Sequence, residues 1–308
     1  MRLELELVGG GGEPVDLRRT INSHGLVDLP PMRLLDGERA LEVTLPVDEA
    51  RPRTVTISQA GPRTVAIEVA GRRPGAREAA RIGALVHYVL RLDEDLSDFY
   101  ARAAADPDLA WVMRGAGRLV RSPTVFEEVV KTICTTNCAW SATVRMVGAL
   151  VEHLGQPAAG APPNGPYRRA FPTPAAMAQA DLAFYGDVVR AGYRGAYLRS
   201  LAEQVASGAL DLEALGRATP AEVPDEELAA RLLALPGVGP YAASHVMMLL
   251  GRYSPLVLDS WTRPTYARLT GGRPKSDTTI RRRFRRYGPY AGLAFWLFLT
   301  RSWVDEEG

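Results

Sequence analysis

Asp259 is the residue whose surroundings most invite chemistry. It follows an apolar run, Pro255-Leu256-Val257-Leu258, and stands 20 residues beyond Gly239, the last residue of Leu235-Pro236-Gly237-Val238-Gly239. That pentapeptide reads as a hairpin between two helices. The first is predicted over Glu226–Ala234, and the second over Pro240–Leu250 with Pro240 in the favoured first-turn position. Gly237 and Gly239 have no side chain, so the backbone N–H groups around Val238 are open to a phosphate at a helix start. This anion site needs no lysine. An aspartate at the head of a helix commonly serves as an N-cap. Beside a sugar, the same carboxylate can stabilise the positive charge that develops when an N-glycosidic bond breaks, and can orient or deprotonate water.

Further segments accompany the hairpin in order. They are Ile133-Cys134-Thr135-Thr136-Asn137, Gly192-Tyr193-Arg194-Gly195-Ala196-Tyr197 and Tyr287-Gly288-Pro289-Tyr290-Ala291-Gly292. With the hairpin and Asp259 they resemble the helix-hairpin-helix DNA glycosylase superfamily, in particular the branch of 8-oxoguanine glycosylases and AlkA-type alkylpurine glycosylases. The resemblance spans about residues 80–303. It implies double-stranded DNA containing a modified base as partner, Asp259 as catalytic carboxylate, and Gly237, Val238 and Gly239 as the backbone grip. It also implies that Asn137, Tyr193 and Arg194 contact the orphaned base and wedge the stack once the target base has left the duplex.

Tyr241 bears on the reaction subtype. In relatives that also cut the strand, this hairpin position holds a lysine that forms a Schiff base with the sugar. Tyrosine cannot do so, and the resemblance therefore implies water as nucleophile and an intact abasic strand as product. Other departures concern the base pocket. A family arginine is Ala142 here, a cysteine that stacks on the damaged base is His245, a glutamine that reads its edge is Phe295, and a phenylalanine on the opposite wall is Leu299. With Tyr241, Trp261 and Trp296 the expected pocket is apolar and aromatic, which suits cationic alkylated purines. Each of these aromatics could equally be helix core. His24, in the polar, turn-rich stretch Thr20–Pro31, falls where relatives carry a Ser-Gly turn reaching the base; a surface-turn histidine is the plainer reading. Excision of 8-oxoguanine or another bulky modified base, and DNA binding without catalysis, are the competing functions.

Composition bounds the rest. The 308 residues, 46% hydrophobic and 23% charged, suit a globular protein of two packed units. No apolar run suggests a membrane span, and no signal-peptide region is evident; a cytoplasmic monomer is expected. The net charge is +2, but Arg281, Arg282, Arg283, Arg285 and Arg286 form a dense basic run. Lysine is limited to Lys131 and Lys275, so the cationic surface is arginine, whose planar fork suits phosphate. Cys134 and Cys138 lie four residues apart in one helical pattern and read as packing thiols. Two cysteines cannot supply the four-cysteine iron–sulfur cluster of some relatives. No cofactor and no side-chain metal site is expected, although the resemblance allows a monovalent cation on the hairpin carbonyls.

These residues need a scaffold of the α+β class. Leu3–Val8, Ala40–Val47, Thr54–Ser58 and Thr64–Val69 read as strands separated by Gly/Pro clusters. Arg77–Leu92, Thr124–Cys138, Trp140–Leu154, Arg194–Ser207 and Ala291–Ser302 carry helical apolar spacing, and Gln156–Pro166 reads as a surface loop. The expectation is a small antiparallel β-domain over residues 1–75 and a helical body over 76–308, with the hairpin unit at about 226–250. The resemblance divides that body into two helical parts flanking the DNA groove.

Overall fold

The computed structural model describes residues 1–48 and 51–304. The N-terminal part is one antiparallel sheet in the order β1-β5-β4-β3-β2, with β1 at Arg2–Glu6, β2 at Met32–Leu35, β3 at Ala40–Leu45, β4 at Arg53–Gly61 and β5 at Thr64–Val69. Four of these strands match the alternation read from sequence. β2 escaped that reading because four residues after two prolines are too few to display a period; its pairing with β3 defines it.

Helix α1 (Leu17–Ile21) and helix α2 (Ala76–Val89) bury Leu17, Ile21, Ile82, Val86 and Val89 in one core with Val43, Val55, Ile57, Val65 and Ile67. The turn-rich stretch Thr20–Pro31 is largely buried. Its single 3-10 turn, Gly25–Asp28, points Val27 into the sheet core, whereas Leu26 and Leu29 enter the core of the helical body. It therefore rivets the two units together.

The helical body has two apolar cores. The first gathers α4 (Val125–Thr135), α5 (Trp140–Leu154), α6 (Pro174–Gln179), α7 (Arg194–Ala206), α8 (Leu212–Arg217), α9 (Asp225–Leu233) and most of α10 (Pro240–Leu249). The second gathers α3 (Ser97–Ala103), α11 (Thr262–Leu269), α12 (Asp277–Phe284) and α13 (Ala291–Thr300). Helix α10 serves both, since Met248 belongs to the second core while Ala242, Val246 and Leu249 belong to the first. All ten residues of α13 are buried, as expected for a helix apolar on every face.

Part of the arginine run is structural. Arg283 donates to Asp108 Oδ2 at 2.6 Å and lies over Phe298, and Arg286 and Tyr287 both donate to Asp106. These bonds clamp α12 and the 3-10 segment Arg285–Tyr290 that follows it to the segment after α3. Arg281, Arg282 and Arg285 remain exposed. Both cysteines are free thiols, with Cys138 Sγ directed at Cys134 O at 3.2 Å. No helix among the described residues is long and apolar enough to cross a membrane.

Candidate active site

The hairpin closes between α9 and α10. Val238 N donates to Leu235 O at 3.2 Å, and Gly239 O accepts from Ala243 N at 2.9 Å as α10 begins. Gly237 has a φ of +77°, and a Cβ there would sit 3.0 Å from the Tyr197 ring. Only glycine meets both conditions without strain. Gly239 is different. Its backbone is extended, and a Cβ there would point into open space, with no atom within 4 Å.

Asp259 precedes α11 and caps it. Its Oδ1 accepts from Trp261 N at 2.8 Å and Thr262 N at 2.7 Å, while Thr262 Oγ1 accepts from Asp259 N at 2.8 Å. This is a capping-box exchange. It fixes the carboxylate through Oδ1 and leaves Oδ2 for other chemistry. The structural and chemical readings of this aspartate are therefore compatible.

A cleft of about 790 Å³ brings the hairpin and the carboxylate together. Its walls include Asp259, Gly237, Val238, Gly239, Tyr241, Asn137, Tyr193 and Arg194. Asn137 follows α4 with a φ of +46° and donates through Nδ2 to Tyr193 Oη at 3.3 Å. That bond holds the exposed Tyr193 phenol below its ordinary pKa. Arg194 is buried, donates to Thr136 O and to Ala191 O, and its guanidinium stacks on Tyr193 with 4.6 Å to the ring centroid. An aromatic ring and an amide are thus presented at the rim on a fixed cationic support.

Of the remaining sequence candidates, all but Tyr241 are absent from the cleft lining. Tyr241 lines it, with burial raising its phenol pKa, and stacks at 5.8 Å and a 33° tilt on His245. His245 is buried, as is His24, so His24 is not on a surface turn; its Nε2 lies 2.7 Å from Val120 O. Burial depresses the His24 pKa to about 3 and the His245 pKa to about 4, the latter opposed by Asp259. Trp261 is 39% exposed and contacts Trp296 and Trp303 at centroid distances of 5.6 and 5.5 Å. Phe295 and Leu299 do not reach the cleft. They are enclosed in the second core, with Phe295 against Phe284 and Tyr266, because α13 buries every face.

Sequence reasoning left unassigned several cleft residues, including Thr135, Cys138, Tyr197 and Ser260. Tyr197 carried a usable signal. It lies one helical turn after Tyr193 and packs edge-on to it at 6.1 Å while supporting Gly237. Among the described residues no group of three or more His, Cys, Asp or Glu could hold a metal ion.

Comparison with solved structures identifies the architecture. The chain is similar to a 3-methyladenine DNA-glycosylase from Archaeoglobus fulgidus, with a TM-score of 0.74 at 21% identity over 98% of this chain and 99% of that one. MBOgg1 in complex with a low-affinity DNA ligand gives a TM-score of 0.73 at 18% identity, over 98% and 96%. The apo form of the Clostridium acetobutylicum 8-oxoguanine glycosylase/lyase gives 0.70 at 19% identity, over 94% of each chain. No protein-family profile and no curated protein matches. At these identities the likeness is one of fold, and it extends over essentially the whole length of each partner.

Proposed function

We propose that this chain is a monofunctional DNA glycosylase that flips a modified base, most readily an alkylated purine, out of duplex DNA and hydrolyses its N-glycosidic bond with Asp259. The observation that carries this reading is the convergence on one cleft of a glycine hairpin, a fixed carboxylate, and an Asn137–Tyr193–Arg194 rim. The hairpin amides hold the strand. Tyr193 and Asn137 occupy the space the target base vacates. Asp259 Oδ2 stabilises the oxocarbenium-like sugar and orients water.

The absence of a lyase step is part of the same reading. Lys131 is fully buried and paired with Glu127 Oε1 at 2.6 Å, and Lys275 lies in an exposed loop that does not line the cleft. Neither amine is positioned to attack a sugar. The preference for cationic purines rests on the Tyr241, Trp261, Trp296 and Trp303 rings, which supply stacking.

A panel of duplexes carrying single modified bases tests the proposal, with strands resolved before and after alkali. Release of free base that is abolished in Asp259→Asn supports it. A panel in which 8-oxoguanine alone is released would move the substrate to that base. Tight binding with no release from any duplex would leave a DNA-binding protein.

A further inference from the structure

Outside the cleft lining lies a buried imidazole whose hydrogen-bonding capacity the fold leaves unused on both nitrogens. Both ring nitrogens of His245 are buried with no hydrogen-bond partner. A buried polar atom left unpaired is costly, and native structures avoid it unless something else supplies the partner. The residue is 7% exposed, so solvent does not supply one freely. Its neighbours define the space around it. Tyr241, which lines the cleft, is tilted over the imidazole, and Trp296 meets it edge-on at 6.3 Å. Trp296 is held by its Nε1 donating to Ser23 O at 2.7 Å and also contacts Trp261 and Trp303. Tyr241 in turn shares the cleft wall with Asp259.

We infer that His245 is the base-reading residue of this site: its imidazole, flanked by Tyr241 and Trp296, takes the hydrogen bond of a purine whose six-position carries a carbonyl or amino group. This rests on the glycosylase reading above and specifies how its pocket recognises a base. A neutral imidazole has one donor and one acceptor nitrogen. It can therefore donate to a carbonyl oxygen or accept from an amino group, in either case without placing a charge against a cationic base. The aromatic rings give stacking with little selectivity, so the directional contact falls to His245. The ring is held on α10, the helix that also begins at the phosphate grip. A base reaching His245 passes Tyr241, whose ring stands at the cleft wall.

The test uses the full chain and duplex DNA treated with dimethyl sulfate, following release of 7-methylguanine and 3-methyladenine under single-turnover conditions. Wild type, His245→Leu, His245→Gln and Asp259→Asn are compared, with thermal unfolding and affinity for undamaged duplex measured on each. The expected result is that His245→Leu loses release of both bases at least about tenfold, the equivalent of one hydrogen bond. Its Tm rises by about 2–4 °C, because an unpaired polar group has been replaced by an apolar one. His245→Gln, whose amide also donates and accepts, recovers part of the rate, and undamaged-duplex affinity does not change. Release by His245→Leu equal to wild type would show that the ring is only packing. A lower Tm in His245→Leu would show that the imidazole already has a partner in the protein, and would also overturn the inference. No release by wild type would instead overturn the glycosylase reading, and this inference with it.

Discussion

At the scale of the residue, the helix cap formed by Asp259 and the catalytic role proposed for it can be separated by one substitution. Asparagine caps a helix about as well as aspartate, so Asp259→Asn should keep α11 and unfold within about 1 °C of wild type. Base release should fall at least about a hundredfold, the scale of losing one positioned catalytic group, while duplex affinity stays near wild type. Normal turnover in that variant would remove the central claim. The two buried histidines make a second expectation. Both imidazoles are favoured neutral in the folded chain, with pKa values of about 3 and about 4 against an ordinary 6.5. Their stabilisation is therefore complete above about pH 6.5 and is lost as pH falls toward 4. At pH 5 each should have cost roughly 2 kcal/mol. The buried Glu128 carboxyl, pushed up to about 7 by burial, works in the opposite sense across part of this range. The histidine share is thus read as a difference. Urea midpoints at pH 5 and pH 7 should diverge less in His245→Gln than in wild type, and equal divergence would count against the assignment. The sequence singled out Asp259 by its distance from the hairpin, and the two do line one cleft. It did not reveal that His24 and His245 are buried near one another, because that proximity is made by contacts across hundreds of residues, such as Trp296 to Ser23.

At the scale of the element, the two hairpin glycines are unequal, although in the sequence they look alike. Gly237 is required by its left-handed backbone and by the Tyr197 ring beneath it. Gly237→Ala should cost about 1–2 kcal/mol of stability as well as DNA affinity. Gly239 has open space where a side chain would go. Gly239→Leu should therefore fold with a loss of at most about 1 kcal/mol, yet bind every duplex, damaged or not, about tenfold more weakly by obstructing the amides. A lesion-specific effect would make the hairpin a pocket element. The hairpin was legible because glycine and proline mark turns from local sequence alone. Helices α2, α4, α5, α7 and α13 were legible because each presents several turns of apolar spacing. Short pieces such as α1, α6 and α8 are below the length at which a period can be seen, and tertiary packing defines them.

For the whole molecule, the sheet and the two helical cores were foreseeable from the change of hydrophobic period near residue 75 together with the family resemblance. The way the units join was not. The polar stretch Thr20–Pro31 looked like a surface feature, and it is the rivet between sheet and helices because three apolar residues in it, Leu26, Val27 and Leu29, face two different cores. Phe295 and Leu299 were assigned to the pocket by analogy and belong to the interior, since nothing in a uniformly apolar helix marks which face is functional. The distribution of amines yields an expectation at this scale too. Purified protein incubated with lesion-bearing duplex and borohydride should leave no covalent adduct, and strands should stay uncut until alkali is added. Efficient trapping that disappears on mutation of Lys131 or Lys275 would show a lyase after all.

The burial of Lys131 also has a practical side. With that amine fully enclosed and paired to Glu127, the accessible lysine amines among the described residues reduce to that of Lys275. It does not line the cleft. Amine-reactive dyes, biotin reagents and surface-immobilisation chemistries should therefore attach away from the cleft, leaving the arginines untouched, and fluorescence or biosensor work could begin without engineering a single labelling site.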